Sequence, residues 1–550
     1  MTPAANSTAP GADLPEITDR RFFGHPMGLA VLFFAEMWER FSYYGMRALL
    51  TFYLTKHWLF SDGEAGVIYG AYTALVYITP VLGGYLADRY LGQRKAVLFG
   101  AVLLTLGHFF MGFEGDGGGE SAALNVFWLA LAFIIVGSGF LKANISVIVG
   151  QLYPLKDIRR DGAYTIFYMG INLGAAGGAL LCGWLGETYG WAYGFGAAGI
   201  GMLLGLIAFI WGKPLLMGRG ESPDPERLAR RSMGLPFEWA LYGYGVAAVG
   251  VCWYLVQNQD AVGYLLGIAG AALVLYVIWT AMTTLTAVER SRIFAAMFLI
   301  FGSILFWALF EQAGSSLNLL TDRMVDRDLA GWDVPASMFQ SINAIYIILL
   351  APVFASLWTL MGRRGIEPSA PAKFGLAMIQ LGGGFLVLVY GAQSVEPGQL
   401  IPVVFMLLIY LLHTTGELCL SPVGLSAMNR LAPKHLASII MGTWFFASAT
   451  GNYAAGLIAA ATGSESLNMG EEGIEPGSEA AVQYVSTVTD VYNTIGLVAV
   501  GAGVAVILVS PFIKRMMHLD TLGDVDHALA GEKELAEPMA AGVDTSGEGR

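Results

Sequence analysis

The run Phe33–Gly45, FFAEMWERFSYYG, decides the fold because it places charges inside a segment that is otherwise apolar enough to cross a membrane. Glu36, Glu39 and Arg40 lie in this run, and Arg47 follows on the same predicted helix. Near the centre of a bilayer each such charge costs roughly 2.5–3.5 kcal/mol on insertion scales, so intramembrane charges indicate a functional site. The run therefore predicts a membrane helix with a function beyond anchoring.

Helical spacing gathers several of these groups on one face. Glu36, Arg40, Tyr43 and Arg47 follow one another at intervals of three or four residues, which is the repeat of a helical stripe. Because the stripe carries a carboxylate and two guanidinium groups, it cannot face lipid. We expect it to line a water-filled cavity or to meet opposite charges on other helices.

The composition of the whole chain is that of a polytopic membrane protein. Of 550 residues, 55% are hydrophobic and 13% are charged, whereas a soluble chain carries about 25% charged residues. Apolar runs longer than about 18 residues, the length that spans a bilayer, recur along the chain. We therefore expect an all-α membrane protein with fourteen transmembrane helices, starting near Pro26, Glu64, Ala96, Ala122, Ala163, Trp191, Glu238, Val262, Ile293, Ala336, Phe374, Ile401, Ala437 and Val482.

Composition also argues against several kinds of site. The chain has no polybasic tract, so a nucleic-acid partner is not expected. Cys182, Cys252 and Cys419 lie in separate apolar segments without a CxxC pattern, so neither a disulfide framework nor a metal site is expected. The net charge of −12 resides in loops and at the termini, and it says little about partners.

The basic residues predict the orientation in the membrane. One alternating set of connections is basic throughout, whereas the opposite set holds only Lys56, Arg323 and Arg327. By the positive-inside rule the basic set is cytoplasmic, and so are both termini. The polar N-terminal stretch lacks the apolar core of a signal peptide, and it is interpreted as a cytoplasmic tail.

The embedded charges divide the chain into two halves. Segments seven and eight form a plain apolar hairpin, and removing it leaves six helices on each side. This pattern is typical of major facilitator transporters, which bind substrate between two bundles. The predicted divisions are a cytoplasmic tail at 1–25, an N-terminal six-helix bundle at 26–213, a cytoplasmic linker at 214–236, an extra hairpin at 237–285, a C-terminal six-helix bundle at 290–516 and a disordered tail at 517–550, with an acidic periplasmic loop at 463–480.

Four deep charges form two predicted gating pairs. Helical rise, about 1.5 Å per residue, converts position along a helix into depth. It places Arg47 and Glu311 in the outer half of the membrane, and Lys142 and Glu417 in the inner half. Each pair takes one partner from each bundle, as two alternating gates require. The alternative is static ion pairs that fix helix packing, but buried pairs add little net stability, so the number of charges disfavours it.

Three further features of the sequence carry a weaker signal. The turn Gly84–Lys95 combines small and charged residues and suits a conformation-sensitive contact at a helix end. His413 precedes Glu417 by one helical turn, where it either tunes the carboxyl group or is an ordinary satisfied polar group. The stretch Gly137–Lys142 lacks the Gly-Lys-Ser/Thr ending of a phosphate-binding loop, so that interpretation is rejected.

Long motifs connect the chain to a known family. The stretch Glu36–Gly45 resembles the ExxERFxYYG motif of the proton-dependent oligopeptide transporter family, and Phe167–Gly174 resembles its FYxxINxG signature. The turn Gly84–Lys95 resembles the general major facilitator loop motif. The similarity runs from about residue 26 to 515, including the extra hairpin of bacterial members, with further matching blocks around Lys142, Glu311, Asn343 and Glu417.

The resemblance implies a proton-coupled symporter that imports di- and tripeptides by alternating access through a bacterial inner membrane. Its expected partners are peptides, protons and the lipid bilayer, with protons as the coupling ion and no other cofactor or metal. Arg47 would receive the peptide carboxylate and Glu417 the peptide amino group, while Asn172 and Asn343 would bond the peptide backbone. The side-chain pockets would be lined by Tyr43, Tyr44, Tyr77, Trp307 and Trp444. Proton coupling would involve Glu36, Glu39, Arg40, Lys142 and Glu311.

The chain departs from the family pattern in two places. Some members carry a proton-sensitive His on the second helix, whereas the corresponding stretch 68–80 has Gly70 and no His. Some bacterial members have paired acids on the helix of Glu311, whereas Phe310 precedes the single Glu311 here. Both departures move the expected proton site to Glu311 and to Glu36 and Glu39.

The residues leave three alternative functions to be distinguished. The first is a related symporter for another small anion, such as nitrate, or for an amino-acid-like solute; nitrate-type relatives generally lose the Glu-x-x-Glu-Arg motif that is intact here. The second is an intramembrane enzyme, but no GxSxG, HExxH or paired catalytic Asp motif occurs. The third is a peptide sensor without flux, which only a transport assay separates from a transporter.

Overall fold

The computed structural model describes residues 17–119, 121–154, 157–232, 234–433, 436–463 and 474–519. Most of both predicted tails and most of the acidic loop at 463–480 therefore lie outside the described residues. Within them the protein is almost entirely helical, because long apolar segments in a membrane must satisfy their backbone groups internally.

Six long helices form the N-terminal bundle. The bundle spans α1 (Met27–Phe52), α2 (Asp62–Leu86), α3 (Gln93–Met111), α4 (Leu124–Gln151), α5 (Arg159–Tyr189) and α6 (Trp191–Gly212). Within it α1 packs against α5 and α6, and α3 packs against α4. α2 begins sharply because Ser61 and Glu64 form a reciprocal capping box. π-helical turns follow α1 at Tyr53–His57 and α2 at Ala87–Leu91.

The linker and the extra hairpin follow α6. The linker contains a 3₁₀ turn, Lys213–Leu216, the short helix α7 (Pro225–Ala229) and a small antiparallel pair, β1 (Arg231–Ser232) and β2 (Leu235–Pro236). The hairpin consists of α8 (Phe237–Gln257) and α9 (Gln259–Thr283). Its observed span lies within the predicted 237–285, and α8 packs against α4 of the N-terminal bundle.

The C-terminal bundle is built from the remaining helices. In chain order it contains α10 (Ala287–Phe310), α11 (Ser316–Met324), α12 (Ser341–Arg363), α13 (Ala370–Gln393), α14 (Val403–Leu431), α15 (Ala437–Thr462) and α16 (Glu479–Met516). 3₁₀ turns occupy Glu311–Gly314 and Ala336–Gln340. The short strands are β3 (Val325–Asp326), β4 (Asp328–Leu329), β5 (Trp332–Asp333) and β6 (Ile401–Pro402), with β3 parallel to β6 and β4 antiparallel to β5.

The number of membrane-length helices agrees with the prediction of fourteen. In the described part of the chain, twelve spans are long and apolar enough to cross a membrane. α1 and α15, each of 26 residues, are the other two helices of that length. α1 is not among the twelve spans because it carries charged residues, and α15 is not among them because it is rich in small and weakly polar residues. The expected all-α membrane fold is confirmed.

The segment of Glu311 differs from the continuous helix expected from its sequence. α10 ends at Phe310, and Glu311 begins the 3₁₀ turn that separates α10 from α11. Gln312 lies in this break and donates hydrogen bonds to the carbonyl oxygens of Ala308 and Ala455, both at 3.0 Å. Gly314 allows the close approach of Tyr69, since a Cβ there would lie 1.8 Å from the Tyr69 hydroxyl oxygen. Contacts with other helices therefore hold the break.

The two bundles meet mainly along two helix pairs. α2 packs against α15, and α5 packs against α12 and the 3₁₀ turn before it. We call the end at which α1 joins α2 the outer end, and the end at which α2 joins α3 the inner end, following the predicted orientation. α9 of the hairpin touches α15, so the hairpin contacts both bundles.

Candidate functional site

Three charged side chains of α1 form a buried cluster. Arg40 lies 2.7 Å from Glu36 (Nη2 to Oε1) and 3.3 Å from Glu39 (Nε to Oε2). The side chains of Glu36, Glu39 and Arg40 are 1%, 0% and 7% exposed, so they are shielded from bulk water. Glu36 Oε2 and both oxygens of Glu39 accept no hydrogen bond from the described residues. Burial removes water from these carboxylate oxygens, so the charge of Arg40 compensates theirs within the helix.

Lys142 of α4 lies beside this cluster but points toward aromatic rings. Its Nζ lies 3.8 Å from the centroid of the Tyr43 ring and 5.9 Å from that of the Tyr77 ring. Among the described residues Lys142 makes no ion pair within 4.0 Å, so the predicted pair of Lys142 with Glu417 is not formed in this conformation. The physical reason is that the ammonium group is already held over an aromatic face.

Glu417 of α14 has a different neighbour. Its Oε2 accepts a hydrogen bond from Asn343 Nδ2 at 3.0 Å, and the same nitrogen lies 3.1 Å from Thr414 Oγ1. Asn343 on α12 therefore orients the carboxylate of α14. Asn343, expected to bond the peptide backbone, and Glu417, expected to bind the peptide amino group, are thus in direct contact.

Arg47 and Glu311 do meet across the bundles. Arg47 Nη2 forms a buried ion pair with Glu311 Oε2, and Arg47 Nε donates to the hydroxyl of Tyr69. The guanidinium carbon also lies 5.6 Å from the Tyr44 ring centroid and 5.8 Å from that of Tyr69. The structure therefore places a cation of α1 against a carboxylate of the α10–α11 break, as the gating prediction requires, while the gating role itself stays a prediction.

Sequence reasoning missed a second group of cross-bundle ion pairs at the outer end. Arg323 of α11 forms two bonds with Asp62 at the start of α2, at 2.5 and 2.8 Å. Lys56 lies 2.7 Å from Asp322. A signal was present, because Lys56 and Arg323 belong to the few basic residues of the outer connections. The cross-bundle ion pairs that the described residues form all lie at this end, so the outer end is closed.

Three predicted lining residues have local roles in this conformation. Asn172 donates to the carbonyl oxygen of Tyr168 one turn earlier, at 3.1 Å. Trp307 and Trp444 are 8% and 1% exposed, and neither indole N–H has a partner among the described residues. In this conformation Trp444 packs tightly against Gly424 and Phe374, and its contact with a peptide stays a prediction.

The structure has two six-helix bundles that close at one end, with buried opposite charges on facing helices. This architecture is that of a multi-pass membrane transporter, in which the site lies between the bundles.

Comparisons with known proteins support this class. The profile of the POT family matches residues 94–474. Peptide transporter YePEPT of Yersinia enterocolitica subsp. palearctica is 37% identical over 477 residues, which cover 82% of this chain and 90% of that protein. Dipeptide and tripeptide permease B of Edwardsiella piscicida is 30% identical over 93% of this chain and 98% of its own length.

Solved structures show the same similarity. A peptide transporter POT in complex with sulfate has a TM-score of 0.76 at 34% identity, covering 92% of this chain and 98% of its own. A POT family transporter in complex with a thioalcohol-conjugated peptide has a TM-score of 0.74 at 32% identity, over 90% and 98% of the two chains. The chain belongs to the POT family, with the major facilitator fold expected from its sequence. Its class is therefore that of transporters and not of intramembrane enzymes.

Proposed function

We propose that the protein is a proton-coupled symporter that imports di- and tripeptides by alternating access through the inner membrane of a bacterium, with both termini in the cytoplasm. The relatives named as peptide transporters and as dipeptide and tripeptide permeases support the substrate class. The alternation of basic and nonbasic connections supports the orientation. Protons are the coupling ion, and the function needs no other cofactor.

One observation carries the proposal most directly. Arg47 on α1 of one bundle and Glu417 on α14 of the other provide a cation and an anion, as the two ends of a zwitterionic peptide require. Arg47 binds the peptide carboxylate once Glu311 releases it, and Glu417 binds the amino group. Asn172 and Asn343 hydrogen-bond the peptide backbone. The side chains of the peptide contact Tyr43, Tyr44, Tyr77, Trp307 and Trp444, because aromatic surfaces make few directional demands.

In this proposal the buried charges couple the movement of protons to the transport of the peptide. Protonation of Glu311 removes the negative charge that holds Arg47 and frees Arg47 for the peptide carboxylate. Protons pass through the cluster of Glu36, Glu39 and Arg40, with Lys142 as a nearby cation. After inward opening, loss of the proton restores the pair of Arg47 and Glu311 and releases the peptide. Lys142 and Glu417 pair when the inner end closes.

Uptake by the purified protein in liposomes tests the proposal. Under an imposed inward pH gradient, a labelled dipeptide is expected to accumulate and to be recovered intact, and unlabelled di- and tripeptides are expected to compete. Accumulation should disappear when a protonophore collapses the gradient. Competition by nitrate and not by peptides would contradict the substrate class, hydrolysis of the peptide would contradict transport, and binding without accumulation would support a sensor instead.

A further inference from the structure

α2 and α15 cross in backbone contact near the outer end. A Cβ added at Gly70 would lie 2.7 Å from the Cα of Gly456, and one at Gly66 would lie 2.9 Å from the Cβ of Ala459. A Cβ at Gly456 would lie 2.6 Å from the carbonyl oxygen of Gly66. Such short distances leave no room for a methyl group. The two helices approach this closely because small residues face each other, a common device at helix interfaces in membranes.

This crossing joins the two bundles, since α2 belongs to one and α15 to the other. It lies within the first turns of α2, directly after Asp62, whose carboxylate pairs with Arg323. Past the end of α15, a Cβ at Gly463 would lie 3.0 Å from the Cβ of Asp62. The glycine crossing and the outer ion pairs therefore form one continuous contact between the bundles.

The crossing is also fixed to the break that carries Glu311. Gln312, the next residue, donates to the carbonyl oxygen of Ala455, which immediately precedes Gly456. On the other side of the break, Thr51 of α1 donates to the carbonyl oxygen of Gly314 at 2.6 Å. Movement of α15 away from α2 should therefore also displace, through Gln312, the segment that holds Glu311 against Arg47.

We infer that Gly66, Gly70 and Gly456 are positioning residues of the outer closure, which set how completely the outer end closes independently of any titrating group. The inference rests on the proposed alternating-access function and adds to it a neutral, shape-dependent component. The ion pair of Arg47 and Glu311 responds to protons, whereas contact between glycine backbones does not. A methyl group at the crossing should therefore favour the outward-open state without changing the pH dependence of the equilibrium.

Distances between spin labels test this inference. One label pair at the exposed residues Phe113 and Leu329 reports the outer end, and a second pair at Ile158 and Ile366 reports the inner end. The labels are attached to cysteines in a chain whose three native cysteines are replaced by Ala. Gly70→Ala and Gly456→Ala are expected to raise the ratio of outward-open to inward-open protein by about tenfold or more, as overpacked interfaces relax by separating.

The same two helices provide matched controls. At Gly63 of α2 an added Cβ would meet only ordinary contacts, the nearest at 3.8 Å, and at Gly442 of α15 it would meet nothing within 4 Å. Gly63→Ala and Gly442→Ala should leave both distance distributions unchanged. For Gly70→Ala the shift should keep its size between acidic and neutral pH, whereas Glu311→Gln should weaken the pH dependence of the equilibrium. Unchanged distributions in folded Gly70→Ala and Gly456→Ala would overturn the inference.

A disulfide gives a second test that does not depend on tolerance of a methyl group. A Cβ at Gly63 would lie 3.9 Å from the Cβ of Ala460, which is the separation of a bridged cysteine pair. In the double variant Gly63→Cys and Ala460→Cys, oxidation should narrow the outer-end distances, abolish uptake, and be reversed by a reductant. Uptake that persists in the oxidised protein would overturn the inference. If the parent protein accumulates no peptide while the label distances still respond, the substrate proposal fails and the inference stands.

Discussion

At the scale of single residues, the buried charges differ in where their partners lie. Arg40 is neutralised within its own helix by Glu36 and Glu39, whereas Arg47 is neutralised by Glu311 of the other bundle. A pair within one helix survives any relative motion of the bundles. A pair between bundles must break when they separate at that end. Position along α1 thus distinguishes a cation balanced within its own helix from one balanced across the two bundles.

The first residue-scale prediction concerns proton coupling. Glu36→Gln or Glu39→Gln should abolish gradient-driven accumulation and leave peptide counterflow largely intact, because counterflow needs alternation of the cavity but no net proton movement. Uptake under a pH gradient and exchange at equal pH are measured in the same liposomes. Glu64→Gln, in the exposed capping box of α2, is the control and should behave as the parent. Accumulation that persists in both buried variants would place the proton site elsewhere.

The second residue-scale prediction concerns the two ends of the peptide. Arg47→Ala should weaken binding of peptides with a free C-terminus more than that of amidated ones, and Glu417→Ala should do the same for free against acetylated N-termini. Loss of one partner of a buried charged pair costs about 2–5 kcal/mol, enough to eliminate millimolar binding. Competition assays with matched free and blocked peptides measure the difference. Equal losses for both forms would refute the assignment.

At the scale of elements, the break between α10 and α11 is the most informative departure from regular structure. In a continuous helix the backbone N–H groups bond the carbonyl groups of the preceding turn. At this break the side-chain amide of Gln312 instead donates to the carbonyl oxygens of Ala308 in α10 and Ala455 in α15. Ser316 extends the network, donating to Gln312 Oε1 at 2.6 Å and lying 2.8 Å from the hydroxyl of Tyr492. Irregular backbone at membrane depth is tolerated only where protein or water satisfies its polar groups. The hydrogen bonds of Gln312 and Ser316 provide partners for polar groups at this break.

The element-scale prediction follows from this network. Gln312→Met keeps the volume of the side chain but removes the donor to both carbonyl oxygens, so it should destabilise the folded protein by about 1–3 kcal/mol, given up to about 1.7 kcal/mol per interhelical hydrogen bond in membranes. Thermal unfolding in detergent measures the loss. Gln257→Met, whose side chain donates at 2.7 Å to the carbonyl oxygen of Trp253 within its own helix, is the control and should cost less. Equal effects would mean that the break is held by packing alone.

At the scale of the whole molecule, the closure of the two ends is asymmetric. The outer end combines charged pairs, hydrogen bonds to backbone carbonyls and the glycine crossing. Of the other predicted gating pair, Lys142 rests on Tyr43, and Glu417 is bonded by Asn343. A transporter with two alternating gates is expected to form one gating pair at a time, and this conformation has the outer pair formed.

The whole-molecule prediction concerns the two gating pairs. Glu311→Gln should shift the protein toward outward-open, and Glu417→Gln toward inward-open, because each removes the charge of one gating pair. Complete reversal from 1:99 to 99:1 requires about 5.5 kcal/mol, so one pair should shift the populations without exhausting them. Label distances at the outer and inner ends measure both shifts. Identical distributions for the two variants would refute the two-gate mechanism and leave peptide transport untouched.

The sequence alone determined the features that depend on local composition. Apolar length predicted the fourteen helices, and the motif Glu36–Gly45 led to the family. Helical rise placed Arg47 and Glu311 at similar depths, because depth follows from distance along the chain, and the two residues do form a pair. These inferences succeed since helix periodicity and the membrane thickness are fixed lengths.

Only the tertiary structure decided the contacts that depend on how helices cross. It placed Lys142 on Tyr43 instead of Glu417, paired Arg323 with Asp62, and buried Trp444 behind Gly424. It also showed why Gly70 stands on α2, because a side chain there would meet the backbone of α15. Partner choice depends on the rotation and tilt of each helix about its axis, which packing against other helices sets and which the residue pattern of one segment does not specify.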